Sequence, residues 1–287
     1  MRDDITNLRK LLQECKARND AAGIDTLSPR KLEEMTFHDN ERGAVANCDK
    51  GEPPPDPNRK FYAVTETSDD DMHQWIETHA PGKVFLDYAC GYGGYAVRAA
   101  RAGAALAIGL DISPVSVQLA EKHARESGVS ENTFFLRGDC ENTGLPDNSI
   151  DLVLCSGMLH HLDLSYAFPE IRRILKPGGL ALAGEALGYN PAIALYRMLT
   201  PNLRTNWEKH HILTFKDVRF AKRFFRVRNI RYWHLATLLA VPFYRTRLFR
   251  PALAVANAID RVLLKVPPIC YLAWMFYFEM VKEPSRT

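Results

Sequence analysis

Val84-Phe85-Leu86-Asp87-Tyr88-Ala89-Cys90-Gly91-Tyr92-Gly93-Gly94 is the stretch on which the reading of this chain turns. A short apolar run meets a glycine-rich turn, and residues 94–102 beyond it read as a helix. A strand-to-helix turn of this kind needs residues without Cβ, because the backbone must approach a nucleotide-like ligand at the helix N-terminus. Gly91-Tyr92-Gly93-Gly94-Tyr95-Ala96 also satisfies the general dinucleotide fingerprint G-x-G-x-x-G/A. By itself, therefore, the turn leaves its ligand open.

Outward from it the chain alternates. Strands are expected at 83–87, 105–111, 133–136, 149–155 and 180–185. Between them lie helices at 113–127, with Ser113 as N-cap and Pro114 at the first position, and at 166–175, ended by Lys176-Pro177-Gly178-Gly179. Strands alternating with helices specify an α/β protein with a doubly wound, mostly parallel sheet. Upstream, residues 5–17 suit an amphipathic helix, 52–57 a proline-rich extended linker and 69–79 a short helix. From Gly188 the rhythm breaks: helices are expected at 192–198, 215–225 and 248–264, and strands at 227–234 and 271–281. In the helix at 248–264 apolar residues at 253, 256, 259 and 263 face inward, with Asp260 and Arg261 outward. The expected division is an N-terminal helical and linker segment forming part of a lid (1–60), a core (61–187), a substrate-side lid region (188–270) and a last strand with tail (271–287).

Composition narrows the class. A chain of 287 residues with 46% hydrophobic and 25% charged residues has ordinary globular composition. Its net charge of +3 is too small to argue for nucleic acid, and no nucleic-acid partner is expected. Residues 216–250 nevertheless hold ten Lys and Arg against the single acid Asp217, a local field for phosphorylated or amphipathic substrates or an anionic membrane face. The six cysteines form no CxxC, which points to reduced thiols and a cytoplasmic setting. Met1-Arg2-Asp3-Asp4 is charged where a signal peptide needs an apolar core, and no run of eighteen apolar residues suggests a transmembrane segment.

Three acids narrow the ligand. Asp87 lies four residues before Gly91, inside a strand where a dinucleotide site is usually apolar. Asp111 closes the second strand twenty residues after Gly91, where a carboxylate can take both hydroxyls of a ribose, and Asp139-Cys140 closes the third, where an adenine amine can be held. With Gly109-Leu110-Asp111-Ile112-Ser113, Gly138-Asp139-Cys140-Glu141, Leu145-Pro146-Asp147-Asn148-Ser149-Ile150-Asp151, Leu159-His160-His161-Leu162 and Leu175-Lys176-Pro177-Gly178-Gly179, residues 80–186 resemble the class I S-adenosylmethionine (SAM)-dependent methyltransferases of small-molecule type. The resemblance implies a seven-stranded sheet whose last pair is antiparallel, with SAM as cofactor and S-adenosyl-L-homocysteine as product. It also implies a cofactor site of Asp87, Ala89, Cys90, Gly91, Gly93, Asp111, Ile112, Asp139, Cys140 and Ser156, with Tyr62 folded over the methyl donor. Cys140 stands where the family often has alanine.

Methyl transfer is an in-line displacement whose sulfonium leaving group is already activated, so positioning and desolvation dominate and a hydroxyl acceptor adds the need for a base. The candidates for that base are His160, His161, Glu185 and His211. Glu208, His210 and His211 lack ligand spacing, and no metal is expected. Residues 185–205 resemble bacterial small-molecule methyltransferases, natural-product tailoring enzymes among them, and a small acceptor is expected. Two alternatives stay open: an NAD(P)-dependent oxidoreductase using the same turn, and a SAM-binding regulatory module without catalysis.

Overall fold

The computed structural model describes residues 2–22, 27–46 and 58–284. Two helices, α1 (Arg2–Ala21) and α2 (Pro29–Ala46), come first; the expected linker at 52–57, like Cys48, falls outside the described residues. Then follow α3 (Arg59–Tyr62), α4 (Glu66–His79), β1 (Val84–Tyr88), α5 (Gly94–Arg101), β2 (Leu106–Asp111), α6 (Pro114–Glu126), β3 (Thr133–Arg137), β4 (Ile150–Ser156), α7 (Leu164–Ile174) and β5 (Leu175–Ala186). After β5 come α8 (Pro191–Leu199), α9 (Asn206–His210), α10 (Phe215–Ala221), β6 (Arg226–Trp233), α11 (Phe249–Leu263) and β7 (Met275–Val281).

One seven-stranded sheet runs β3-β2-β1-β4-β5-β7-β6. The five strands β1 to β5 are parallel; β7 pairs antiparallel with β5, and β6 antiparallel with β7. Every residue of β1 and β2 is buried, as strands covered by helices on both faces require. Ser113 caps α6 through the Ser116 N–H and Pro114 opens the helix, as its sequence predicts. One face of the sheet packs Leu12, Phe168 and Ile171 against β1, β4 and β5, and the other packs Trp75, Ile76, Val97 and Val117. A smaller third cluster joins Val64, Ile193, Leu253 and Trp274 beside the C-terminal ends of the strands.

The order of strands reverses between β1 and β4, and it is at such a switch point that an open α/β sheet leaves a crevice for ligand. Strand β6, expected at 227–234, is the edge strand of the main sheet beside β7. Two expectations change here. The helix expected at 215–225 ends at Ala221. Asp260 is turned inward: it is 6% exposed, and its carboxylate accepts the N–H groups of Leu235, Ala236 and Thr237. These begin a 3₁₀ segment at Ala236–Phe243, so the acid satisfies backbone donors that helical periodicity cannot reveal.

Candidate functional site

The glycine turn is held by acids from its own and the adjacent strand. Gly93 takes the left-handed conformation (φ 70°) as N-cap of α5. A Cβ there would lie 2.8 Å from both the Ala120 and Phe135 side chains, so the glycine serves packing as well as the turn. Asp111 accepts the Gly91 N–H at 2.8 Å through one oxygen and the Ser113 N–H at 2.9 Å through the other. Asp87 accepts the Ala96 N–H at 3.1 Å, and burial pushes its carboxyl up to about 8. Asp139 accepts the Glu141 N–H at 2.8 Å, and the Cys140 carbonyl accepts from the Tyr88 hydroxyl.

Ala89, Asp111, Ile112, Asp139, Cys140 and Ser156 thereby line one cleft across the ends of β1 to β4. Cys90, Gly91 and Gly93 form its turn, while Asp87 stands behind the turn at the start of α5. Tyr62 is not in the cleft. It lines the neighbouring chamber, with its ring 6.1 Å from that of Trp274.

Helix α2 lies across the cleft. Lys31 Nζ is 2.5 Å from Asp139 and 2.9 Å from Glu141, and Arg30 is 2.5 Å from Glu141. Arg42 lies 3.9 Å from Asp111, and Asp39 accepts from the Ser113 hydroxyl. The acids at the strand ends therefore already face cations. The cleft keeps about 130 Å³ beneath the helix, less than the roughly 300–1,000 Å³ of ordinary ligand sites.

Beside it opens a chamber of about 610 Å³, sharing His38, Ser156, Gly157 and His161 with the cleft. Phe61, Tyr62, Tyr95, Tyr196, Trp274 and Tyr277 supply aromatic walls, and His160, His161, Glu208, Arg197 and Arg204 a polar side.

Two imidazole–carboxylate pairs stand at that polar side. His160 Nδ1 is 2.7 Å from Glu185, a fully buried acid that also accepts the N–H groups of Met158 and Leu159. His161 Nδ1 is 2.8 Å from Glu34 of α2. Glu208 lies opposite both rings, 3.4 Å from His160 Nε2 and 3.9 Å from His161 Nε2. Burial opposes charge on His160, yet Glu185 and Glu208 outweigh it and push the imidazole up to about 9. Burial and then the charge of His160 hold His161 below its ordinary value, outweighing Glu34. Burial disfavours the Glu208 carboxylate, but the hydrogen bond from His160 and the two imidazoles bring it down to about 2.

Of the four base candidates, His160 and His161 meet in the chamber, and Glu185 sits behind His160 as its orienting partner. His211 does not join them: its ring stacks on Trp207 at 3.6 Å and its Nδ1 contacts the Trp207 carbonyl. The residues of α2 and Glu208 escape the strand-end motifs. One signal was available, because Arg30, Glu34, His38 and Arg42 recur every four residues and so share a helix face.

Residues 86–183 match the family model of a methyltransferase domain. A sterol 24-C-methyltransferase of Gibberella zeae is 38% identical over 101 residues, 35% of this chain and 27% of that protein. The ribosomal protein L11 methyltransferase of Burkholderia mallei is 35% identical over 113 residues, 39% of this chain and 35% of its own length. The chain thus aligns with about a third or less of the curated relatives it matches. Among solved structures, geranyl diphosphate C-methyltransferase from Streptomyces coelicolor, with Mg²⁺, geranyl diphosphate and S-adenosyl-L-homocysteine, has a TM-score of 0.57 at 15% identity, covering 89% of this chain and 98% of that one. The [4+2]-cyclase SpnF has a TM-score of 0.51 at 23% identity, covering 76% and 82%.

Proposed function

We propose that this chain, whose residues 86–183 form a methyltransferase domain in the class I fold, transfers a methyl group from SAM to a small molecule held in the aromatic chamber. One observation carries this reading: the cleft of Asp111 and Asp139 opens into the chamber through a common wall of His38, Ser156, Gly157 and His161. Asp111 would hold the ribose and Asp139 with Cys140 the adenine of the cofactor, which would supply an activated methyl group. The chamber beyond the wall would hold the acceptor for in-line displacement.

The protein's own residues position, desolvate and remove a proton. Aromatic walls exclude water and take an apolar acceptor body, in keeping with the sterol and geranyl diphosphate substrates named for similar proteins. His161 is the base for a hydroxyl acceptor, because Nδ1 donates to Glu34 and leaves the Nε2 lone pair free, and its lowered pKa keeps it neutral at pH 7. His160 and Arg197 on the same side give an anionic group of the acceptor its partners.

Calorimetric titration with S-adenosyl-L-homocysteine, NADH and NADPH tests the cofactor. Saturable binding of the homocysteine product is expected, and binding of NADPH alone would overturn the proposal. Radiolabelled methyl transfer from SAM to a panel of amphipathic alcohols and prenyl diphosphates then tests the acceptor class.

A further inference from the structure

We propose that His160, His161 and Glu208 bind one divalent first-row transition-metal ion at the polar side of the chamber. One donor atom from each residue falls within 4.8 Å of the others, and Glu208 Oε1 is 3.4 and 3.9 Å from the two Nε2 atoms. Bonds of about 2.0–2.2 Å hold neighbouring donors about 3–3.5 Å apart, so these atoms close on an ion by small side-chain rotations. Two imidazoles and one carboxylate on one side of an ion, with the remaining positions open, is the donor set that iron, manganese, cobalt and zinc accept.

The second observation is what stands behind the ligands. Each imidazole presents its Nδ1 to a buried acid, His160 to Glu185 at 2.7 Å and His161 to Glu34 at 2.8 Å. That is the carboxylate–histidine arrangement that fixes tautomer and ring direction in metal sites and leaves Nε2 as the ligand. The acids are themselves held. Glu185 accepts two backbone N–H groups, Glu34 accepts from the Thr205 hydroxyl, and Glu208 Oε2 takes the Thr205 N–H, which leaves Oε1 for the ion.

Charge points the same way. Three carboxylates, Glu34, Glu185 and Glu208, surround two imidazoles in a largely buried pocket, so acid groups outnumber the imidazoles that face them. Arg30 donates to the His161 carbonyl and Arg197 to the Glu208 carbonyl; the charge of Arg197 reaches Glu208 and lessens the excess without an ion pair between them. A doubly charged ion offsets the excess. Glu34, His38 and His161 also cluster, but both Glu34 oxygens are engaged, by Thr205 and by His161, so that acid orients rather than ligates.

The open positions face the chamber, and the ligand they take is an oxygen donor of the acceptor, a hydroxyl, an enolate or a phosphate. This role in acceptor binding rests on the methyl-transfer reading, whereas the ion site itself does not. With the ion loaded, His161 Nε2 is a ligand and no longer the base; the ion would lower the pKa of a bound hydroxyl, whose proton would pass to solvent before methyl transfer.

The test uses the full chain stripped with a chelator and titrated with Co²⁺, followed by visible absorption, beside S-adenosyl-L-homocysteine calorimetry on the same preparation. The expected result is saturation at one Co²⁺ per chain, weakened at least tenfold in Glu208→Gln and His161→Gln. A loss of tenfold or more is expected in Glu34→Gln, whose acid touches no ion, and none in His211→Gln. Absence of stoichiometric uptake by the natural chain, or undiminished uptake in folded Glu208→Gln, overturns the site. Should Glu208→Gln unfold, as circular dichroism would reveal, Glu34→Gln and the natural chain's stoichiometry decide. Co²⁺ uptake without homocysteine binding leaves the ion site standing and removes the methyl-transfer reading; the reverse outcome removes only the ion.

Discussion

The cofactor cleft and the acceptor chamber touch along one wall but are made in different ways. The floor of the cleft comes from the ends of β1 to β4 and the turns that follow them, whose key residues are neighbours in sequence, and only its cover, α2, comes from elsewhere. The chamber draws on α2, α3, α4, the turn after β4, α8, α9 and the start of β7, from Phe37 to Tyr277. Its chemistry appears only when Glu34, His160, His161, Glu185 and Glu208 meet. A local motif can therefore announce a cofactor, whereas an acceptor site assembled from distant segments leaves no contiguous trace. SpnF, whose fold is similar and whose name is that of a cyclase, makes the same point: the fold alone does not choose the chemistry.

The sharpest way to break this contrast is at Asp111. Asp111→Ala leaves the Gly91 and Ser113 N–H groups without acceptors in the buried turn and removes the expected ribose ligand. A loss of about 3 kcal/mol in homocysteine-product binding, at least a hundredfold by calorimetry, is expected. A change under threefold would falsify the assignment of the cleft to the cofactor.

Next in size is a pair of glycines, one in the glycine turn and one in the wall itself. Gly93→Ala meets both left-handed strain and the Ala120 and Phe135 side chains, and should cost about 2–4 kcal/mol in denaturant unfolding. Gly157→Ala has similar φ (61°) but nothing within 4 Å, so about 1 kcal/mol is expected. Equal losses would show that packing does not distinguish the two turns.

The histidine pair gives the chamber a pH signature in the metal-free chain. His160 is raised from 6.5 to about 9, so its stabilisation is full below pH 6.5 and is lost as pH rises through 9. Glu208 is lowered from 4.5 to about 2, so its share is present above pH 4.5 and is lost as pH falls through 2. The two shifts share the His160–Glu208 contact, while Glu185 is the leading cause of the rise at His160. On the order of 2 kcal/mol should disappear between pH 6.5 and 9, read by urea midpoints, and Glu185→Gln should flatten that limb. An unchanged limb in the variant would detach Glu185 from His160.

The smallest effect expected is at Lys31, which occupies Asp139 from α2. Lys31→Ala frees that carboxylate and should tighten S-adenosyl-L-homocysteine binding about three- to tenfold, about 1 kcal/mol. Weaker binding instead would make Lys31 a clamp on the bound cofactor rather than a competitor for its site.

The motifs from Asp87 to Gly179 are legible because each lies in a short window: an apolar run, a glycine turn or an acid at a strand end. They anticipate β1 to β5, and the resemblance they carry implies the antiparallel last pair and includes six residues that line the cleft. Helical periodicity misjudges Asp260 because the residues it serves, Leu235 to Thr237, lie some two dozen positions away. His211 looks as available as His160 in sequence, and only the Trp207 stack sets it apart. Tyr62, expected at the cofactor, lines the chamber rather than the cleft.

By itself, then, the sequence determined the parallel sheet, the glycine turn and the acids at three strand ends, since periodicity and turn chemistry act over a few residues. The tertiary structure alone decided that α2 sets Lys31 and Arg42 on those acids, and that Glu185 and Glu34 turn two adjacent imidazoles toward Glu208. Those contacts join residues up to 127 positions apart. Their geometry follows from how helices pack across the sheet's C-terminal edge, and no local propensity encodes it.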